Sequence, residues 1–151
     1  MRVSAKADYA VRAAIELAAA EGDLVKGDHI ARTQGIPLNF LENILVDLKQ
    51  AGLVGSRRGP EGGYWLDRPA AEVSVADVMR AAEGPLASVR GERPESLRYD
   101  GSAQRLQEVW IALRANVRGI LEQVTLADVV AGRLPRSVRV AARDPDARLR
   151  R

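Results

Sequence analysis

The chain has 151 residues, of which 28% are charged and 46% hydrophobic, and it contains no cysteine. A chain of this length and balance folds as a globular domain without disulfides or metals. The absence of cysteine excludes disulfides, thiolate nucleophiles, cysteine-bound zinc and all-cysteine iron–sulfur clusters. The N-terminus has no apolar signal-peptide core and no apolar run approaches about 18 residues, so we expect a cytoplasmic protein without a membrane span.

The net charge of +3 is unevenly placed. Residues 1–68 contain nine basic and nine acidic residues, residues 69–138 again contain nine of each, and the final 13 residues contain five and two. The net charge therefore says little about a nucleic-acid partner, and any such binding must depend on where individual cations lie.

Three helices are predicted first. Ser4 caps a helix that runs to about residue 21, a second helix spans residues 28–34, and a third spans residues 38–51. Gly35 supplies the tight turn between the second and the third helix. Two short helices joined by such a turn, with an earlier helix packed behind them, indicate a helix-turn-helix.

A β-hairpin follows over residues 53–66, with its turn at residues 59–63 and with Tyr64 and Leu66 tying it to the core. A helix-turn-helix followed by a hairpin is the winged-helix arrangement, in which the hairpin is the wing. Ser74 then begins a helix that extends to about residue 82, and residues 87–101 have no periodicity and are predicted to form a loop.

A long helix is predicted next, because apolar residues recur every 3.5 positions in the manner of a coiled coil. A helix of about 20 residues with such a stripe needs a partner of similar length. The remainder of the chain offers none, so we expect the partner to be a second subunit. The residues of this dimerisation stripe are Leu106, Trp110, Leu113, Val117, Ile120 and Val124.

Thr125 caps a last short helix that ends at Gly132, and residues 133–151 form a basic tail that is predicted to be disordered. The predicted fold class is therefore mainly α with a small β-hairpin. It consists of a winged helix-turn-helix and a long C-terminal dimerisation helix.

Five motifs resemble the Rrf2 family of bacterial transcription regulators. They are MRVSAKADYAVRA at the start, IARTQGIPLNFLENIL in the helix-turn-helix, RRGPEGGYWL in the wing, SVADVMRAAEGPL after it and TLADVV near the end. The resemblance covers about residues 1–132. It implies a homodimeric winged-helix DNA-binding protein whose long C-terminal helix crosses between subunits.

On this basis we divide the chain into four segments. Residues 1–84 form the winged helix-turn-helix DNA-binding domain, and residues 85–102 form a loop at the effector or sensor position. Residues 103–132 form the dimerisation helix and the short terminal helix, and residues 133–151 form the tail.

The chain departs from the family in the sensor-position loop, where the best-known members carry three cysteines that hold an iron–sulfur cluster or sense oxidants. Here the loop reads ASVRGERPESLRYDG, so no cluster held by cysteines is expected, and neither is any other cofactor. The lone histidine, His29, has no nearby set of ligands and is predicted to face solvent, which leaves no metal site.

The recognition helix presents polar residues whose side chains suit base recognition. Asparagine bonds bidentately to adenine, and glutamate accepts a hydrogen bond from cytosine N4. The resemblance implies that Asn39, Phe40, Glu42 and Asn43 lie near bases and adjoining phosphates. The alternative is that these residues are simply solvated on a surface helix.

Arg57 and Arg58 precede the wing turn. Neighbouring strand residues face opposite sides, so only one of them is expected to enter the minor groove. The resemblance favours Arg58 for the groove and Arg57 for phosphate, against the alternative of a solvated basic turn. It also assigns phosphate contacts to Arg2, Ser4, Lys6 and Tyr9, although Tyr9 could equally serve in core packing.

The sequence thus predicts a homodimeric transcription regulator, a repressor, that binds double-stranded DNA at an inverted repeat. A small ligand or partner protein would act on residues 85–110. The alternative is a winged-helix module for protein–protein interaction without DNA binding. An enzyme is excluded, because the wing lacks the G-x-x-x-x-G-K-[ST] phosphate loop and the chain offers no nucleophile–base pair.

Overall fold

The computed structural model describes residues 1–150. It is mainly helical, with one antiparallel hairpin, as the sequence predicts. Within residues 1–150 the helices are α1 (Ala5–Ala19), α2 (Gly27–Gln34), α3 (Leu38–Gln50), α4 (Val75–Glu83), α5 (Leu106–Leu121), α6 (Leu126–Ala131) and α7 (Arg136–Arg143), and the strands are β1 (Val54–Arg57) and β2 (Gly63–Leu66).

Helix α1 is the centre of the core. Its buried face is built mostly of alanine, and these small side chains let α3, α4 and α6 pack closely around it. Larger side chains from the surrounding helices fill the space, and each stabilises the fold by about 1.5–3 kcal/mol when fully buried. The largest fully buried apolar side chains include Leu17, Ile30, Leu41, Ile44, Leu45, Leu48, Val78 and Leu126.

The helix-turn-helix is formed by α2 and α3. Gly35 ends α2 in the left-handed conformation, with φ +64°, as its predicted place in a tight turn requires. The Arg12 guanidinium of α1 donates to the carbonyl of Gln34 at 2.5 Å and pairs with Asp8 at 2.8 Å. Because this bond joins α1 to the last residue of α2, Arg12 helps to fix the turn that precedes the recognition helix α3.

Strand β2 of the wing is held near the turn by a backbone pairing that the sequence did not reveal. β1 and β2 pair from Val54–Leu66 to Arg57–Gly63, and Val25 then pairs with Tyr64 on the outer side through two hydrogen bonds of 2.8 Å. A Cβ at Gly63 would lie 2.8 Å from the Val25 carbonyl oxygen, so this pairing depends on glycine at that position.

The starts of α4 and α6 lie side by side. Each begins with a capping box, from Ser74 and Asp77 in α4 and from Thr125 and Asp128 in α6. The N–H of Val75 donates to the carbonyl of Val124 at 2.9 Å, which joins the two helix starts.

Val124 therefore differs from its predicted place in the dimerisation stripe. Helix α5 ends at Leu121, and Val124 lies beyond it with only 7% of its surface exposed. The 3.5-residue spacing continued past the end of the helix, but the backbone pairing with α4 turns Val124 into the core of its own subunit.

The C-terminal segment also differs from expectation. Residues 136–143 form α7, although the sequence predicts disorder over residues 133–151. The run between Pro135 and Pro145 contains neither glycine nor proline, so nothing in it interrupts a helix. Its high arginine content had suggested a solvated chain.

Candidate nucleic-acid interface

The exposed side of α3 carries the predicted base-reading residues. The stripe of Leu41, Ile44, Leu45 and Leu48 is buried against the core, which turns Asn39, Phe40, Glu42 and Asn43 outwards. Within residues 1–150, the side chains of Asn39, Glu42 and Asn43 have no hydrogen-bonding or ionic partner. Their donors and acceptors are therefore free for an external ligand.

Phe40 has a second role besides its exposure. Its ring meets the ring of Tyr9 edge to face at a centroid distance of 5.7 Å, and 43% of its surface stays exposed. The Arg12 guanidinium lies 4.8 Å from the Tyr9 ring centre. Tyr9 thus connects α1 to the start of the recognition helix and fixes the position of α3.

The two wing arginines have different surroundings. Arg57 is the last residue of β1, and its guanidinium donates to the carbonyl of Glu61 across the turn at 3.2 Å. Arg58 is exposed at the tip and bonds to no other residue within 1–150. The two arginines therefore differ in that the guanidinium of Arg57 is bonded within the turn and that of Arg58 is free.

The shape of the wing turn depends on glycine. Gly59 has φ +101°, a conformation that favours glycine. A Cβ at Gly62 would lie 2.0 Å from the carbonyl oxygen of Arg57, so any side chain there must move the backbone that carries both arginines.

A cleft of about 430 Å³ separates α3 from the wing, and it brings together residues from both. Glu42 lines one side and Arg57 and Arg58 the other. Lys26 and Lys49 also line this cleft. Lys26 donates to the carbonyl of Pro60, and Lys49 donates to the Ser56 hydroxyl at 2.7 Å.

These two lysines were not predicted to belong to the interface. Lys49 lies two turns beyond the residues that suggested base recognition, and Lys26 precedes α2. The only sequence signal for Lys49 was its position in the last turn of α3, directly before the wing. No sequence signal pointed to Lys26, because its approach to the wing depends on the pairing of Val25 with Tyr64.

The predicted phosphate-binding residues near the N-terminus are mostly occupied within the fold. The Ser4 hydroxyl accepts from the N–H of Ala7 at 3.0 Å as the cap of α1, and it donates to Glu83. Lys6 pairs with Asp47 of α3 at 2.9 Å. Arg2 is exposed and has no partner within residues 1–150, so it is the free cation of this group.

The dimerisation stripe leaves apolar surface without a partner. Helix α5 contains no buried residue, and Leu113 and Ile120 are both exposed. The other members of the stripe on this helix, Leu106, Trp110 and Val117, are half-buried.

The loop at the sensor position is attached to α5 by polar contacts. Glu95 pairs with Arg114, whose side chain is only 15% exposed, and the Trp110 indole N–H donates to the Tyr99 hydroxyl at 3.2 Å. The Gln107 amide donates to the carbonyls of Pro94 and Glu95 at 3.2 and 3.1 Å. The segment is irregular, as predicted, and it is fixed to the helix.

The carboxyl group of Glu95 has a pKa below its ordinary value. The main cause is a hydrogen bond from its own backbone N–H, and the charge of Arg114 and the hydrogen bond from it lower the pKa further. Glu95 is therefore held as a carboxylate by the contacts that attach the loop.

Comparison with known proteins relates this arrangement to a family. Residues 3–132 match the model of the Rrf2 family, described as iron-dependent transcriptional regulators. The chain is 54% identical over 145 residues to Rv1287 of Mycobacterium tuberculosis (strain H37Rv), a candidate HTH-type transcriptional regulator, with 95% of this chain and 90% of that protein covered.

Two further proteins extend the similarity. The HTH-type transcriptional regulator IscR of Cereibacter sphaeroides is 37% identical over 135 residues, which cover 86% of this chain and 87% of IscR. The solved structure of CymR, the global cysteine regulator of B. subtilis, has a TM-score of 0.71 at 34% identity and covers 87% of this chain and 97% of that one.

The residues present do not fit an iron site. The sequence has no cysteine, and within residues 1–150 no group of three or more His, Cys, Asp or Glu side chains is placed to hold a metal. In the sensor-position loop, the carboxylate of Glu95 already pairs with Arg114. None of the helices in this described part of the chain is long and apolar enough to cross a membrane.

Proposed function

Because the chain belongs to the Rrf2 family of transcriptional regulators, we propose that it acts as a cytoplasmic homodimer that represses transcription by occupying an inverted-repeat operator. The family and the relatives are regulators and not enzymes. The observation that carries the proposal is the cleft between α3 and the wing, where the unpaired side chain of Glu42 lies on one side and the free Arg58 on the other.

The proposed base contacts come from α3 and the wing. Asn39 and Asn43 would bond to adenine edges, Glu42 would accept from cytosine, and Phe40 would pack on the bases beside them. Arg58 would enter the neighbouring minor groove, where narrow A·T-rich segments attract a guanidinium. Their exposure and lack of internal partners support this assignment.

The proposed phosphate contacts lie at the edges of this surface. Arg57 and Arg2 would supply positive charge, and Lys6 would contact a DNA phosphate while it remains paired with Asp47. Ser4 and Tyr9 would contribute hydroxyl groups. Such contacts set the register of the protein on DNA without reading sequence.

The proposed dimer forms through α5. Its exposed apolar stripe would pair with the same stripe of a second subunit and place two recognition helices about 34 Å apart, or a multiple of that, on successive major grooves. An isologous interface of this kind matches an inverted-repeat operator.

The proposed signal differs from that of cluster-binding regulators. We expect no iron–sulfur cluster and no other resident cofactor, since the loop at residues 85–102 has no cysteine and no group of three metal-holding side chains occurs within residues 1–150. A small ligand or a partner protein would instead act on this loop and on the start of α5.

The DNA-binding proposal is tested by selecting a site from a pool of random duplexes with the full-length protein and measuring affinity by fluorescence anisotropy. We expect Arg58→Ala to weaken binding by about 5- to 150-fold, corresponding to about 1–3 kcal/mol. Arg68→Ala is the matched control, because Arg68 is also exposed but lies at the base of the wing. Failure to enrich any site, or equal losses in the two variants, would refute the proposal.

The dimer is tested by sedimentation equilibrium. Leu113→Glu places a charge in the stripe and is expected to shift the protein towards monomer. Ala115→Glu places the same charge on the opposite side of α5 and should leave the dimer intact. A dimer that persists in Leu113→Glu at every concentration would contradict the proposed interface.

A further inference from the structure

Helix α7 has a cationic face that the proposed interface does not use. Arg136, Arg139 and Arg143 are spaced i, i+3 and i+7, which places them within an arc of about 60° on an α-helix. Arg139 donates through Nε to the carbonyl of Leu134 at 3.1 Å. Within residues 1–150, none of these arginines pairs with a carboxylate.

The tail has a charge unlike the rest of the chain. Residues 1–138 are balanced, whereas the segment 133–150 contains six arginines and two aspartates. This segment also lies beyond residues 3–132, the part that matches the family. The excess positive charge of the protein is thus concentrated in this C-terminal segment, and three of its arginines lie on one side of a helix.

The start of α7 is attached near the end of α5, which also borders the N-terminal segment. The Ser137 hydroxyl donates to the side-chain carbonyl of Gln123 at 2.8 Å, which attaches α7 just beyond the end of α5. That same end of α5 faces the N-terminal segment, since Arg2 and Val3 line a cleft together with Ile120 and Leu121. Arg2 is the free cation of the N-terminal group.

We propose that the arginine face of α7 binds the phosphate backbone of duplex DNA outside the operator, as an extension of the interface. Guanidinium groups bind phosphate bidentately, and their charge complements a polyanion. The apolar residues of α7 are Val138, Val140, Ala141 and Ala142, which provide too little apolar surface for a membrane-binding helix. The inference depends on the proposed DNA binding.

The test compares the full-length protein with the variant Arg136→Gln/Arg139→Gln/Arg143→Gln. One duplex ends at the selected site, and the other extends about ten base pairs, one helical turn, beyond it on each side. On the longer duplex we expect the variant to bind about tenfold more weakly at low salt. We also expect its log–log salt dependence to be shallower by about 2–3, since each phosphate contact contributes about 0.9. On the short duplex the two proteins should bind alike.

A charge-matched control separates placement from net charge. Arg90→Gln/Arg93→Gln/Arg105→Gln removes three exposed arginines elsewhere and should retain wild-type affinity on both duplexes. Arg136→Lys/Arg139→Lys/Arg143→Lys keeps the charge and should retain most of the salt dependence. Far-UV circular dichroism checks that all variants are folded.

The outcomes distinguish the two proposals. Wild-type protein that binds neither duplex would refute the proposed function itself. Wild-type binding with an unchanged tail variant, an equal loss on both duplexes, or the same loss in the charge-matched control would overturn only the role of α7. Tail-dependent binding to phosphatidylserine vesicles, with unchanged DNA affinity, would assign the arginine face to membranes and also overturn the inference.

Discussion

The wing and the sensor-position loop resemble each other in sequence and differ in how their charges are used. Both contain glycine, proline and arginine in an irregular segment. In the wing, backbone pairing with Val25 holds strand β2 and Arg58 stays free at the tip. In the loop, Glu95 and Tyr99 bond to side chains of α5. The free Arg58 marks a surface that is available to a ligand, whereas the pair of Glu95 and Arg114 maintains the fold.

The largest effect is expected from a substitution that displaces the wing without removing charge, which tests whether the position of the free arginine matters. Gly62→Ala puts a Cβ 2.0 Å from the Arg57 carbonyl oxygen and must move the turn that carries both arginines. We expect DNA affinity to fall by about 100-fold, in the upper part of the range for the loss of one arginine contact, because both arginines are displaced. Anisotropy on the selected duplex measures it.

Gly119→Ala is the control for this substitution, because a Cβ there meets no atom within 4 Å. It should leave DNA affinity unchanged and favour the helix by about 1 kcal/mol. If Gly62→Ala retained wild-type affinity, the geometry of the turn would have no part in binding.

The second prediction concerns the paired region. Glu95→Gln removes the carboxylate that faces the largely buried Arg114, so we expect the amides of residues 95–99 to exchange hydrogen severalfold faster. Stability should fall modestly, and DNA affinity of the ligand-free protein should stay within about twofold of wild type, since the wing is unaffected. Hydrogen exchange followed by mass spectrometry measures the change.

Glu92→Gln is the matched control within the same loop, because the side chain of Glu92 is exposed and has no partner within residues 1–150. Equal exchange rates in the two variants would show that the pair with Arg114 does not hold the loop.

Local signals in the sequence were sufficient for most of the fold. The caps at Ser4 and Ser74, the tight turn at Gly35 and the winged-helix order were all predicted, because capping and turn chemistry act between near neighbours. The pairing of Val25 with Tyr64 was not predictable, since it joins residues far apart in the chain through backbone groups that every residue carries.

The residues of the candidate interface were likewise predictable only where local sequence signals place them. Exposure of Asn39 and Glu42 follows from the helical period, which the sequence displays. The convergence of Lys26 and Lys49 on the wing depends on tertiary packing. Val124 illustrates the opposite error, because its spacing fitted the stripe of α5 while its backbone pairs with α4.

The smallest expected effect tests whether paired charge makes the fold sensitive to acid. Asp77 caps α4, and Arg80 bridges from it, at 3.5 Å, to Glu122 beyond α5, at 2.8 Å. Burial would raise the pKa of Asp77, but hydrogen bonds from Ser74 and the charge of Arg80 outweigh it, so the pKa lies below its ordinary value. The native state therefore binds a proton less readily than the unfolded chain.

The direction of this pKa shift determines the pH range in which the stability of the protein falls. The stabilisation by Asp77 is fully present above the unfolded pKa of about 3.9 and is lost as the pH falls through the lower native pKa. Asp77→Asn should cost about 1 kcal/mol at neutral pH through the weakened cap, and its stability should fall less steeply than that of wild type below about pH 4. Urea unfolding across this range measures both effects.

Asp23→Asn is the control, because the side chain of Asp23 is exposed and has no partner within residues 1–150. This variant should keep the wild-type slope of stability against pH. If Asp77→Asn kept that slope as well, the acid sensitivity would have to come from other carboxylates, such as Glu122, whose hydrogen bonds with Arg118 and Arg80 also lower its pKa.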